Sequence, residues 1–87
     1  MDEPVINLPN IGKVLANELK KIDILSHSDL CAIGSVEALL KLKIEFNRGC
    51  FNTLYALEGA IQKIRWHDLP LVERKRLKEE LQKAIQL

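Results

Sequence analysis

Eighty-seven residues, 47% hydrophobic and 29% charged, suffice for one small core, and this balance excludes a disordered chain and a scaffold that needs disulfides. The length leaves no room for an enzyme with a deep cleft. Thirteen basic against twelve acidic side chains give a net charge of +1, whereas general nucleic-acid binders carry a clear basic excess.

The small excess lies at the C-terminal end, where residues 65–87 hold six basic and four acidic side chains. No apolar run reaches membrane-spanning length, and the start Met1-Asp2-Glu3-Pro4 lacks the basic and apolar regions of a signal peptide. The expectation is a cytoplasmic protein, one domain over residues 1–87, with no membrane partner.

Residues 1–7 form a short lead-in, with Val5 and Ile6 available to pin it to a core. The next stretch, Leu8-Pro9-Asn10-Ile11-Gly12-Lys13, predicts a tight hairpin feeding a helix. Pro9 fixes its own φ and pushes Leu8 out of the helical region, Asn10 tolerates a left-handed conformation, and Gly12 permits close backbone approach. Apolar residues at Ile11, Leu15 and Leu19 then recur at helical spacing to about Lys21. The N–H groups of Ile11, Gly12 and Lys13 have no intrahelical acceptor, so this helix start is a candidate anion site, with Lys13 adding a full charge.

A short second helix follows, capped by Ser26 or Ser28, carrying Asp29 in its first turn and ending at Gly34. Ser35 is the expected cap of a third helix running to about Lys43. Leu40, Leu42, Ile44 and Phe46 also alternate with charged residues as a half-buried strand would, and such a strand would have no evident partner. Asn47-Arg48-Gly49 predicts a turn. Helix four, Cys50 to about Ile64, is apolar around much of its surface, as in a helix that is central or covered by a partner, and Ala56, Gly59 and Ala60 would let another helix approach closely.

Arg65-Trp66-His67-Asp68 predicts a sharp corner, with Trp66 a packing anchor whose indole N–H is bonded locally and His67 with Asp68 fixing the turn. Asp68 is the expected cap of helix five, Pro70 lies in its first turn, and Leu77, Leu81, Ala84 and Ile85 point inward. Arg74, Lys75, Arg76 and Lys78 occupy other faces, and Glu79 with Lys83 can pair at i, i+4. The fold class is therefore all-α, a compact bundle of about five short helices.

Cys31 and Cys50 sit among apolar neighbours and are expected as small buried hydrophobes. With His27 and His67 they make a nominal two-Cys, two-His set, but no Cys-x-x-Cys or close His pair marks a zinc site, so no metal and no cofactor is expected. His67-Asp68 lacks a nucleophile in recognisable context, and no catalytic residue is assigned.

Leu8-Pro9-Asn10-Ile11-Gly12, followed by Leu15-Ala16 and Leu19, resembles the helix-hairpin-helix motif of DNA-repair and recombination proteins, departing from it at Asn10, where that motif has a glycine. The resemblance implies hairpin amides that hold a DNA phosphate. Together with Leu54-Tyr55-Ala56-Leu57-Glu58-Gly59-Ala60 and Arg65-Trp66-His67-Asp68-Leu69-Pro70, the same opening resembles the C-terminal domain of the TfoX/Sxy competence regulators over nearly the whole chain. That implies a helical, helix-hairpin-helix-like domain of a bacterial protein linked to transcriptional control, here without that family's N-terminal domain.

The expected function is a non-enzymatic DNA-associated regulatory module. Asn10, Ile11, Gly12 and Lys13 would contact phosphate, and Arg74, Lys75 and Lys78 would reach neighbouring phosphates without reading sequence. The alternative is a protein-interaction domain, docking on a transcription component or on itself through helix four or five.

Overall fold

The computed structural model describes residues 2–47 and 50–85. Its order is a 3-10 turn Val5–Asn7, α1 Lys13–Lys21, α2 His27–Ile33, α3 Ser35–Phe46, α4 Phe51–Gln62, a second 3-10 turn Trp66–Asp68, and α5 Leu71–Ile85. No β-strand is present among the described residues, and the fold is an all-α bundle. Arg48 and Gly49 of the expected turn lie outside the described residues; Asn47, before them, is left-handed at φ 56°.

The core is a leucine cluster. Leu19, Leu30, Leu39, Leu42, Leu54, Leu57 and Leu77 are fully buried, one or two from each helix. The central helix is α4, packed against α2, α3 and α5. Its wide apolar surface is thus covered by this chain's own helices, which removes it as a free docking face.

The helix-or-strand ambiguity at residues 40–46 resolves as helix, three residues beyond the expected end at Lys43. Ala38, Leu39 and Leu42 are buried and Phe46 is half-buried, a stripe at helical spacing, whereas Ile44 is 81% exposed and would have been inward in a strand. Only the helical period turns the leucines towards α4.

Several boundaries differ from expectation for local reasons. Helix α1 begins at Lys13, because left-handed Asn10 (φ 70°) and extended Gly12 (φ −92°, ψ −178°) precede it. It ends where Asp23 turns left-handed, with Asp23 N–H donating to Lys20 O and Ile24 N–H to Leu19 O. Helix α4 ends two residues before Ile64 in the same way. Lys63 takes φ 60°, its N–H donates to Ala60 O, and Ile64 N–H reaches back to Gly59 O. These are Schellman closures built on non-glycine residues.

Ser35 does not cap α3; Gly34 does, and the buried Ser35 hydroxyl instead donates to Glu58 Oε1 at 2.7 Å. Ser26 caps α2 as expected, accepting from Asp29 N–H at 3.2 Å. The lead-in adds a second cap, since Asp2 accepts from Ser28 N–H at 3.0 Å, while Val5 N–H donates to Leu25 O and His27 N–H to Glu3 O. Val5 is buried, but Ile6 is exposed.

The lead-in to α5 repeats that to α1. In each, a 3-10 turn precedes a buried leucine and a proline: Leu8 N–H donates to Val5 O at 3.0 Å, and Leu69 N–H to Trp66 O at 3.1 Å. Pro70, not Asp68, stands at the start of α5, its carbonyl accepting from Glu73 and Arg74; Asp68 lies inside the 3-10 turn. Along α5, Leu77 and Leu81 are buried and Ala84 half-buried, but Ile85 is 50% exposed. Ion pairs on this helix join Arg76 to Glu80 at 2.7 Å and to Glu73 at 3.9 Å.

Gly34, at φ 84° and ψ 159°, occupies backbone space reserved for glycine, although an added Cβ would meet nothing within 4 Å. Gly34→Ala should therefore cost about 1–3 kcal/mol in urea unfolding, all of it from the backbone. A loss under about 0.5 kcal/mol would mean that the α2–α3 junction relaxes freely.

Candidate functional site

The hairpin is anchored from inside and open outside. Leu8 and Ile11 are buried, Pro9 and Asn10 half-buried, and Gly12 and Lys13 exposed. One 3-10 turn stands where a helix-hairpin-helix motif would place its first helix.

Asn10 locks the hairpin to α4 and the corner that follows it. Its Nδ2 donates to Ile64 O at 2.9 Å and Ala56 O at 3.4 Å, and its Oδ1 accepts from Trp66 N–H at 3.1 Å. Carbonyls only accept and the amide N–H only donates, so one orientation of the side-chain amide fits, and aspartate could not replace it. Gly59 makes the space. A Cβ there would lie 2.5 Å from Asn10 Nδ2 and 2.8 Å from Ile64 O.

With the bend fixed, the N–H groups of Ile11, Gly12 and Lys13 have no acceptor among the described residues, and no side chain caps α1. The first turn of α1 carries no acid. Gly12 itself has an ordinary φ, and an added Cβ would meet open space. Nothing inside the fold requires glycine there.

The other candidate cations are placed differently. Arg74 is spent on the corner: Nε donates to Leu69 O at 3.1 Å, Nη2 to His67 O at 2.7 Å, and the guanidinium lies 5.4 Å from the Trp66 ring centroid. Lys75 is exposed. Lys78 sits 4.8 Å from the Phe51 ring centroid, at the start of α4 and about 12 Å along the axis from Gly59, where the clamp meets the helix. Of the basic candidates, Arg74 alone reaches the corner that Asn10 holds.

Trp66 is held by its faces. It stacks on Tyr55 (centroids 6.2 Å apart) and on His67 (4.0 Å), and its indole N–H has no local acceptor among the described residues, contrary to expectation. Backbone bonds and Arg74, rather than the His67 and Asp68 side chains, fix the turn.

Both cysteines are exposed rather than buried. Cys31 Sγ lies 3.4 Å from His27 Nε2, and that nitrogen carries a proton to donate to Ile61 O at 2.8 Å. Cys50 stands at the start of α4, where the Thr53 hydroxyl at 3.1 Å and backbone N–H groups hold its thiol below the usual value. His67 is on the corner, and no group of three or more His, Cys, Asp or Glu able to hold a metal occurs among the described residues. At the N-terminal end, Asp2 is held below the ordinary carboxyl value by the Ser26 hydroxyl and the Ser28 N–H. Glu3 is held low by its 2.8 Å bond to Lys63.

A model of the TfoX C-terminal domain matches residues 1–81. The chain belongs to the TfoX C-terminal domain family. Two crystal structures of Listeria monocytogenes proteins share the fold. One, described as an uncharacterized protein in a triclinic form, is 42% identical, with a TM-score of 0.85 over 93% of this chain and 92% of that one. The other, described as a protein of unknown function in a tetragonal form, is 42% identical, with a TM-score of 0.83 over 92% and 98%. No curated protein matches the chain. Membership of the TfoX C-terminal family suggests a regulatory role.

One feature beside the hairpin escaped sequence reading: a groove between the first 3-10 turn and α1, lined in part by Ile6, Leu25 and Lys20. Its only sequence signal was the Val5-Ile6 pair, of which one member points out.

The clamp predicts a graded response to mutation. Asn10→Asp keeps a residue that tolerates positive φ but sets a carboxylate against Ile64 O, and should cost about 1–3 kcal/mol by urea denaturation. Gly59→Ala should cost a similar amount, although alanine gains about 1 kcal/mol in helix propensity. A stabilised Gly59→Ala protein would show that Asn10 and α4 do not meet as described.

Proposed function

We propose that this chain is a non-enzymatic, DNA-associated regulatory module whose hairpin amides, Asn10 to Lys13, contact backbone phosphate without sequence readout. The observation that carries the reading is the row of N–H groups at Ile11, Gly12 and Lys13 that lack acceptors among the described residues, the last two on exposed residues at the Lys13 ammonium. Anions are stabilised at such a terminus by both the free donors and the helix dipole. A glycine that the fold does not require, at the position a phosphate would approach, supports the same reading.

The near-neutral charge sets the scale. With Arg74 engaged in the corner and Lys78 on Phe51, few phosphates are neutralised. The log–log dependence of duplex affinity on salt should have a slope between about −1 and −3. Positioning contacts of this kind suit a protein that acts alongside other DNA-bound factors.

Gly12→Asp separates binding from folding. Aspartate is a better helix cap than glycine, so the variant should be more stable by a few tenths of a kcal/mol. Its carboxylate would occupy the amides and repel phosphate, and duplex binding should fall by about tenfold or more, over 1.4 kcal/mol. Wild-type affinity in a stable Gly12→Asp protein, or a salt slope of zero for the wild type, would overturn the reading.

A further inference from the structure

The groove between the first 3-10 turn and α1 has a volume of about 470 Å³. Its floor is apolar, with Val5 and Ala16 buried, and one wall is formed by Ile6 (43% exposed) and Leu25 (52% exposed). The other wall is the Lys13, Asn17 and Lys20 face of α1, at spacings of four and three residues. No carboxylate lines it, and neither ammonium pairs with one among the described residues.

We propose that this groove docks an acidic, amphipathic segment of a protein partner, with apolar side chains set between Ile6 and Leu25 and carboxylates paired with Lys13 and Lys20. Charge complementarity selects this occupant. Two lysines about 10 Å apart along the helix match carboxylates seven residues apart on a helical peptide, and the apolar floor is of no use to a phosphate backbone. A second copy fits poorly. The exposed apolar pair Leu71-Val72 on α5 is flanked by Glu73 and Glu80, which Arg76 already engages, and by exposed Lys75, which would bring positive charge to Lys13 and Lys20. Docking shares Lys13 with the proposed phosphate contact, and the two are told apart by Ile6, Leu25 and Lys20, which line the groove and which the hairpin contact does not need.

The test is calorimetric titration of the full chain with a synthetic helix-forming peptide that carries leucines at i and i+4 and glutamates seven residues apart beside them. A control peptide carries lysine for each glutamate. The acidic peptide should bind at least about tenfold more tightly than the control, and Lys20→Glu and Leu25→Ser, both surface changes, should each weaken it by about fivefold or more. Both variants should retain duplex binding that is sensitive to Gly12→Asp. Equal affinity for the two peptides, no binding at about 1 mM peptide, or binding indifferent to Leu25→Ser would overturn docking in the groove while leaving the hairpin reading standing.

Discussion

The fold depends on a side-chain amide that joins the N-terminal hairpin to the end of α4. Asn10, bent into the left-handed region, uses both polar atoms of its amide on the backbone at the end of α4 and beyond, at Ala56, Ile64 and Trp66. Hydrogen bonds that each contribute about 1 kcal/mol in water are worth more when losing one leaves a half-buried backbone group without a partner. The clamp also orients the chain. With Leu8 and Ile11 held inside, the next N–H groups face outward at the start of α1.

Around this clamp the carbonyls at the end of α4 find donors. Gly59 and Ala60 carbonyls close on Ile64 and Lys63, Ile61 O accepts from His27, and Ile64 O from Asn10. The start of α1 is the opposite case, with no acceptor for its donors among the described residues and no capping side chain. The proposed phosphate contact rests on this contrast between a helix end that finds its partners and a helix start left without them among the described residues.

Much of this was legible in the sequence. The leucine spacing of α3, α4 and α5 gave the helices, and Pro9-Asn10 gave the bend, because those signals are local. Three kinds of information were not local. The end of helix one near Lys21 was read correctly, but that of α4 before Lys63 was missed because Lys63 is not glycine, and tertiary packing, not propensity, sets its left-handed φ. Arg74 looked like free surface charge until the corner presented the carbonyls of Leu69 and His67 to it. The cysteines had apolar neighbours in sequence but face solvent, since Cys31 lies off the Leu30 face of a short helix. Gly59 was read correctly as a site of close approach, but the approaching group is a side chain from the hairpin rather than a helix.

Native-state hydrogen exchange tests the central claim directly, because it resolves each amide. The Trp66 N–H, bonded to Asn10, should open only with global unfolding, whereas the N–H groups of Gly12 and Lys13 should exchange near the rate of an unprotected chain. Slow exchange at Gly12 and Lys13, or an unprotected Trp66, would show that the bend is not held as described and that its donors do not face outward.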